Sequence, residues 1–302
     1  MTRFARWLPV GALVAVPALA GQASAGAELW RVAGVTLPIP PALATGGAAA
    51  FWNPAQDTTR GPSQVGVELV QTPQSVGAFG VLATGRVWLR PIGVVGVTFG
   101  RMSIGDLVRT SYSPDPDGGD IPFFTQSVGL SWARSQGGTT LGAGVAYRHT
   151  HLDNESDGHW TFDVGVQQRV GDRLRLAAAT HGLSRVGTDP SQNVFAGAEY
   201  VVWRGRLWGN LPGALRGRYG VAFARGSGAG ADHQFGAGLD VSTPLSIDVM
   251  VTREGGYTSD ASWRAVAGFR LSVGHYRLAF ARDGGVSDIG SAYRVGLEAS
   301  LR

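Results

Sequence analysis

From Ser63 to Arg302 the chain repeats one pattern, apolar side chains at every second position, in runs of about 9 to 15 residues separated by Gly, Asp, Ser or Pro. Successive side chains of a strand point to opposite faces, so a period of two gives each face its own chemistry. Val128, Leu130 and Trp132 alternate with Ser127, Gly129, Ser131 and Ala133, and Leu141, Ala143, Val145 and Tyr147 alternate with Gly142, Gly144, Ala146 and Arg148. Trp160, Phe162, Val164 and Val166 stand against Thr161, Asp163, Gly165 and Gln167, and the last run sets Tyr293, Val295, Leu297, Ala299 and Leu301 against Arg294, Gly296, Glu298 and Ser300.

The pattern predicts strands near 63–71, 76–89, 93–104, 121–135, 137–153, 160–171, 172–184, 193–205, 214–227, 231–243, 245–256, 260–273, 275–284 and 290–302. The connections alternate in length. Tight turns are expected at Ser135 to Gly138, Gly171 to Asp172, Thr243 to Pro244 and Gly274, and longer loops at Ser111 to Asp120, Asp153 to His159, Leu183 to Gln192 and Gly255 to Ser259. The stretch from Arg204 to Gly213 is long for the tight set. An even strand number with short turns at one end and long loops at the other is the plan of an antiparallel barrel that crosses a membrane. The expected fold is therefore all-β: a transmembrane antiparallel up-and-down β-barrel of about 14 strands.

Charges within the runs fall on the face opposite the apolar rows. Arg148, Asp163, Arg169, Arg173, Arg175, Glu199, Arg216, Arg218, Asp240, Asp248, Arg264, Arg270, Arg277, Arg294 and Glu298 are the candidate lumen-lining residues. A charge facing lipid at mid-membrane costs about 2–4 kcal/mol, which explains the sorting. Two roles fit them: ion pairs that brace the wall, or an Arg-lined path for small anions.

Composition agrees with such a surface. Only 16% of residues are charged, Gly numbers 46 of 302, and Cys is absent, so neither disulfides nor thiolate metal sites are available. The net charge of +4 is too small and too interspersed for a nucleic-acid surface. At the N-terminus Arg3 and Arg6 precede an apolar run from Leu8 to Ala20 and then Ala23-Ser24-Ala25, the form of a cleavable secretory signal over residues 1–25. Export of a barrel of this kind points to the bacterial outer membrane, with its lipid as the first partner.

Residues 26–62 precede the first strand and include Leu37-Pro38-Ile39-Pro40-Pro41, which suits neither a regular helix nor a sheet interior. Then comes Thr45-Gly46-Gly47-Ala48-Ala49-Ala50-Phe51-Trp52-Asn53-Pro54-Ala55. This stretch resembles the motif that opens members of the FadL-like outer-membrane family, and more closely its short PorV/PorQ-type relatives, with Gly46, Gly47, Asn53, Pro54 and Ala55 as the matching positions. The Gly-Leu that follows in many members is here Gln56-Asp57. The resemblance implies a 14-stranded barrel over 63–302 with a short plug-like segment over 26–62. It also implies one of two functions: admission of small hydrophobic compounds, or service as the outer-membrane partner of secretion-system proteins. The short connections leave little room for a tall extracellular ligand-capture region and tilt the reading toward the PorV/PorQ side. A general porin conducting small anionic solutes is the alternative.

No chemistry of an enzyme stands out. His149 and His151, with His159 beyond them, would need a further ligand to hold a metal. The loop Asp115-Pro116-Asp117-Gly118-Gly119-Asp120 lacks the spacing of a calcium loop. His181 and Ser184 lie close in sequence without a nucleophile elbow, and Arg225-Gly226-Ser227-Gly228-Ala229-Gly230 has no helix after it to hold phosphate. No catalytic residue, metal or cofactor is expected.

Overall fold

In the computed structural model, residues 36, 38–55, 63–72, 77–107, 119–184, 192–207, 210–224, 230–242, 244–255, 262–284 and 291–301 are described. The signal-peptide reading at 1–25 lies outside them, as does most of the acidic loop at 115–120 and of the Gly-rich stretch at 225–230.

Fourteen strands run antiparallel: β1 (Ser63–Gln71), β2 (Ala78–Leu89), β3 (Gly93–Ile104), β4 (Phe123–Gln136), β5 (Thr139–Leu152), β6 (Glu155–Val170), β7 (Leu174–His181), β8 (Asn193–Arg206), β9 (Pro212–Ala224), β10 (Asp232–Val241), β11 (Leu245–Glu254), β12 (Ser262–Val273), β13 (Tyr276–Asp283) and β14 (Ala292–Leu301). Each pairs with its neighbours in sequence, and β1 pairs with β14 from Ser63↔Leu301 to Gln71↔Tyr293, which closes the barrel. Closure removes both sheet edges, so the ladder is continuous around the ring and no strand edge is left facing hydrocarbon.

Two expectations are corrected. The expected loop from Asp153 to His159 is a two-residue turn: β6 begins at Glu155 and pairs with β5 from Leu152↔Glu155 onward. The reversal rests on Asp153, whose φ of 55° is tolerated by Asp because its short side chain bonds locally. The polar run Glu155-Ser156-Asp157-Gly158 reads as loop by composition, yet as a rim hairpin its strands need no apolar face. Arg173 lies in the 171–173 turn before β7 and not within a strand.

The exterior carries the apolar rows. Leu130 is 58% exposed and Trp160 60%, with Val128, Leu141, Phe162, Val249, Phe269 and Leu297 exposed beside them. In water this surface would be an aggregation hazard; in a bilayer it is the lipid-facing wall. Aromatic residues ring both ends, with Trp132, Tyr200, Trp203 and Tyr276 toward the short turns and Tyr147, Trp160, Tyr219, Trp263 and Tyr293 toward the loops. Trp132 anchors its ring by donating from Nε1 to the Ile92 carbonyl at 2.9 Å. Rings with an apolar body and one polar atom suit the membrane–water boundary.

The core is inside the barrel and is supplied by the N-terminal segment. A 3-10 turn at Pro41–Leu43 and a single helical turn, α1 (Ala49–Trp52), lie within the ring, and Ile39, Ala42, Leu43, Ala49, Phe51 and Trp52 are all buried. They pack with Leu82, Met102, Ala177, Phe195 and Ala222 from the inward faces of five strands.

Candidate functional site: the stoppered lumen

Thr36 and residues 38–55 make a circuit of the inner wall. Thr36 donates from Oγ1 to Glu68 Oε2 on β1 at 2.5 Å. Pro38 abuts Gly268 on β12, Pro40 abuts Gly220 on β9, and Leu43 abuts Gly197 on β8. Arg175 on β7 donates to the Leu43 carbonyl at 3.1 Å. The chain then crosses to the opposite wall, where the Gly47 N–H donates to Glu298 Oε2 on β14 at 2.9 Å. Gly46 takes φ 87° with the Glu298 carboxylate against its Cα, so a side chain there would be strained and would collide.

The motif residues finish the circuit. Asn53 is 2% exposed and its amide works at both ends: Nδ2 donates to the Ala42 carbonyl at 2.6 Å, and Oδ1 accepts from the Ala55 N–H at 2.9 Å. The first bond ties the two halves of the segment together and the second is the turn expected of an Asn before Pro. Pro54 and Ala55 lie against β5 and β6, where a side chain on Gly142 would meet the Pro54–Ala55 peptide and one on Gly165 would meet the Asn53 amide. These two lumen-facing glycines set the clearance between wall and segment. Phe51 and Trp52 pack at a tilt against His181 of β7, with ring centroids 4.9 Å and 5.5 Å away.

Fourteen of the candidate lumen residues share the inward parity of their strands and Arg173 joins the cavity lining from its turn, and they divide into three levels along the barrel axis. On the loop side of the segment, Arg294 pairs with Asp283, Arg264 lies 3.6 Å from Asp283 and 3.3 Å from Glu254, and Arg148 contacts His181 at 2.7 Å. Asp163 accepts from the Gly182 N–H at 2.5 Å and stands 3.8 Å from His181. At mid-height Arg218 on β9 reaches Glu199 on β8 at 2.6 Å and Asp248 on β11 at 2.5 Å. The reach across β10 is possible because Gly238 has no side chain where the ion pair lies. Glu298 holds the segment. On the turn side Arg169, Arg173, Arg175, Glu199, Arg216, Asp240, Arg270 and Arg277 line a cavity of about 950 Å³ whose floor includes Thr45 and Gly46.

That cavity ends at the segment. Two smaller cavities against the segment hold about 40 Å³ and about 10 Å³. Sequence reasoning missed Glu68, Glu254 and Asp283 in the lumen, and Arg86 and Arg204 in the cavity wall. Glu68 and Arg86 sit on well-formed alternating strands and were legible by parity; Asp283 and Arg204 lie where the pattern breaks, at the end of β13 and beyond the bulge between Val201 and Trp203. The three histidines do not converge. His149 and His151 lie on the outer face, where His149 contacts Gln126 at 3.4 Å and His151 stacks on Phe124, while His159 is on the inward face of β6.

The sequence matches no protein-family model and no curated protein. The fold is similar to solved barrels. The chain superposes on the CymD monoaromatic hydrocarbon channel with TM-score 0.56 and 9% identity, covering 90% of this chain and 99% of that one. The outer membrane protein Omp33 of Acinetobacter baumannii gives TM-score 0.49 at 10% identity, covering 81% and 100%. A mutant of Rh. blastica porin gives 0.42 at 11% identity, covering 79% and 99%. With the CymD channel, at 9% identity, the shared property is the fold alone, a closed antiparallel β-barrel.

Proposed function

We propose that the chain is an outer-membrane transport barrel of the FadL-like type, near the short PorV/PorQ members in size, whose lumen is shut at rest by its own N-terminal segment. Short turns face the periplasm and long loops face outward in this reading, as is usual for such barrels. The observation that carries it is the circuit of residues 36–55 across the lumen, with buried Asn53 bonded at both ends of its amide. A general porin needs a water-filled path from end to end, and the turn-side cavity stops at Thr45 and Gly46. The general-porin reading is therefore the weaker one.

The small-hydrophobic-solute role draws support from the overall likeness to a hydrocarbon channel. The partner role draws support from the lumen itself, whose Arg-rich turn-side cavity and loop-side ion pairs place polar and ionic groups on both sides of the segment. Uptake of a labelled fatty acid or monoaromatic hydrocarbon by cells with and without the chain separates the two. Faster uptake with the chain supports solute transport. Equal uptake, with a large envelope protein co-purifying in mild detergent, transfers the function to the secretion partnership.

A further inference from the structure

Lumen charge is segregated along the axis. On the loop side Arg148, Arg264 and Arg294 stand among Glu68, Asp163, Glu254 and Asp283. The turn-side cavity is lined by eight arginines and three acidic residues. Those three acids are already engaged: Glu199 by Arg175 and Arg218, Asp240 by Arg216, and Asp172 by Arg204 at 4.0 Å. Arg277 is paired with Glu298 at 3.1 Å, whereas Arg270 donates to Ser246 Oγ at 3.2 Å and, among the described residues, neither Arg270 nor Arg173 has a carboxylate within ion-pair distance. Placed in a pocket with low-dielectric walls, a surplus of guanidinium groups focuses a positive potential.

We propose that this cavity is a binding site for a small molecule carrying several negative charges, of the pyrophosphate or organic polyphosphate class, entering from the turn side. Two features select the class. The volume, about 950 Å³, is that of a small-molecule site, and the segment at its floor prevents passage. Arginine forks present paired N–H donors matched to phosphate oxygens, and Ser246, Ser272 and Ser300 add neutral hydroxyls around the wall. That the ligand comes from the periplasm rests on the orientation proposed above; the binding itself does not.

The test is titration calorimetry of the purified full chain in detergent with sodium pyrophosphate. Saturable binding near one per barrel is expected, weakening as salt is raised. The double variant Arg173→Ala/Arg270→Ala should bind about tenfold or more weakly, since two charge-assisted bonds are lost. Arg134→Ala, an exposed arginine on the outer face of β4, should bind as the parent does. A gel comparison of unboiled and boiled samples establishes that each variant is a closed barrel. Absence of saturable binding in the parent, or equal affinity in the Arg173/Arg270 variant, overturns the site. Pyrophosphate binding by a barrel that also conducts ions would retain the site and remove the stoppered reading, so the two fail separately.

Discussion

Asn53 shows how much of the stopper depends on one amide. Both its polar atoms are paired in a place without exposed surface, so replacement by Ala leaves the Ala42 carbonyl and the Ala55 N–H without partners. The expected cost is about 2 kcal/mol. It falls on the segment and not on the barrel, so the reading is local: amide exchange over 42–55 should speed up about thirtyfold while the strand amides keep their protection. Arg218 is the corresponding residue of the wall. Arg218→Ala takes the paired guanidinium from buried Asp248 and leaves Glu199 to Arg175 alone, and should destabilise the barrel by about 3–5 kcal/mol, read as a lowered thermal midpoint in detergent. Replacing the Arg218–Asp248 pair together, as Arg218→Met/Asp248→Leu, should recover most of that loss, because a well-packed apolar pair avoids the desolvation cost of the ions.

At the scale of elements, the strands were legible because lipid and lumen impose opposite chemistry on alternate residues. Leu130 and Ser131 are neighbours in sequence, one exposed to hydrocarbon and one buried inside, and the same contrast runs through β3, β4 and β11. Leu130→Arg should therefore cost about 2–4 kcal/mol in a refolding titration into lipid vesicles. Where the two environments cease to differ, the reading fails. The β5–β6 hairpin continues through Glu155 to Gly158 at the rim, where both faces meet water, and the sequence there looks like loop. The candidate site was legible only in part for a related reason. Inward charges follow from parity, but which arginine meets which carboxylate depends on register and shear between distant strands, as in the reach of Arg218 across β10 to Asp248. The motif Gly46 to Ala55 marked the segment, whereas its path past β12, β9 and β8 is set by lumen glycines whose purpose appears only when the wall is closed. Gly165→Leu should displace Asn53 and raise protease sensitivity of the segment without preventing barrel closure.

At the scale of the whole molecule, a 14-strand ring is wide enough to need filling, and this chain fills it with its own N-terminal residues rather than with larger wall side chains. Small inward residues such as Gly142, Gly165, Gly197 and Gly220 make the room, and Pro54, Asn53, Leu43 and Pro40 occupy it. The result is two unequal compartments: a loop-side half packed with paired charges, and an Arg-rich cavity open toward the turns. Planar-bilayer recording of the parent chain beside a variant lacking residues 36–55 tests this division most directly. The parent should be electrically silent, and the variant should show steady current favouring anions. Equal open-pore current from both would mean that the segment does not close the lumen, and the stoppered barrel would have to be abandoned.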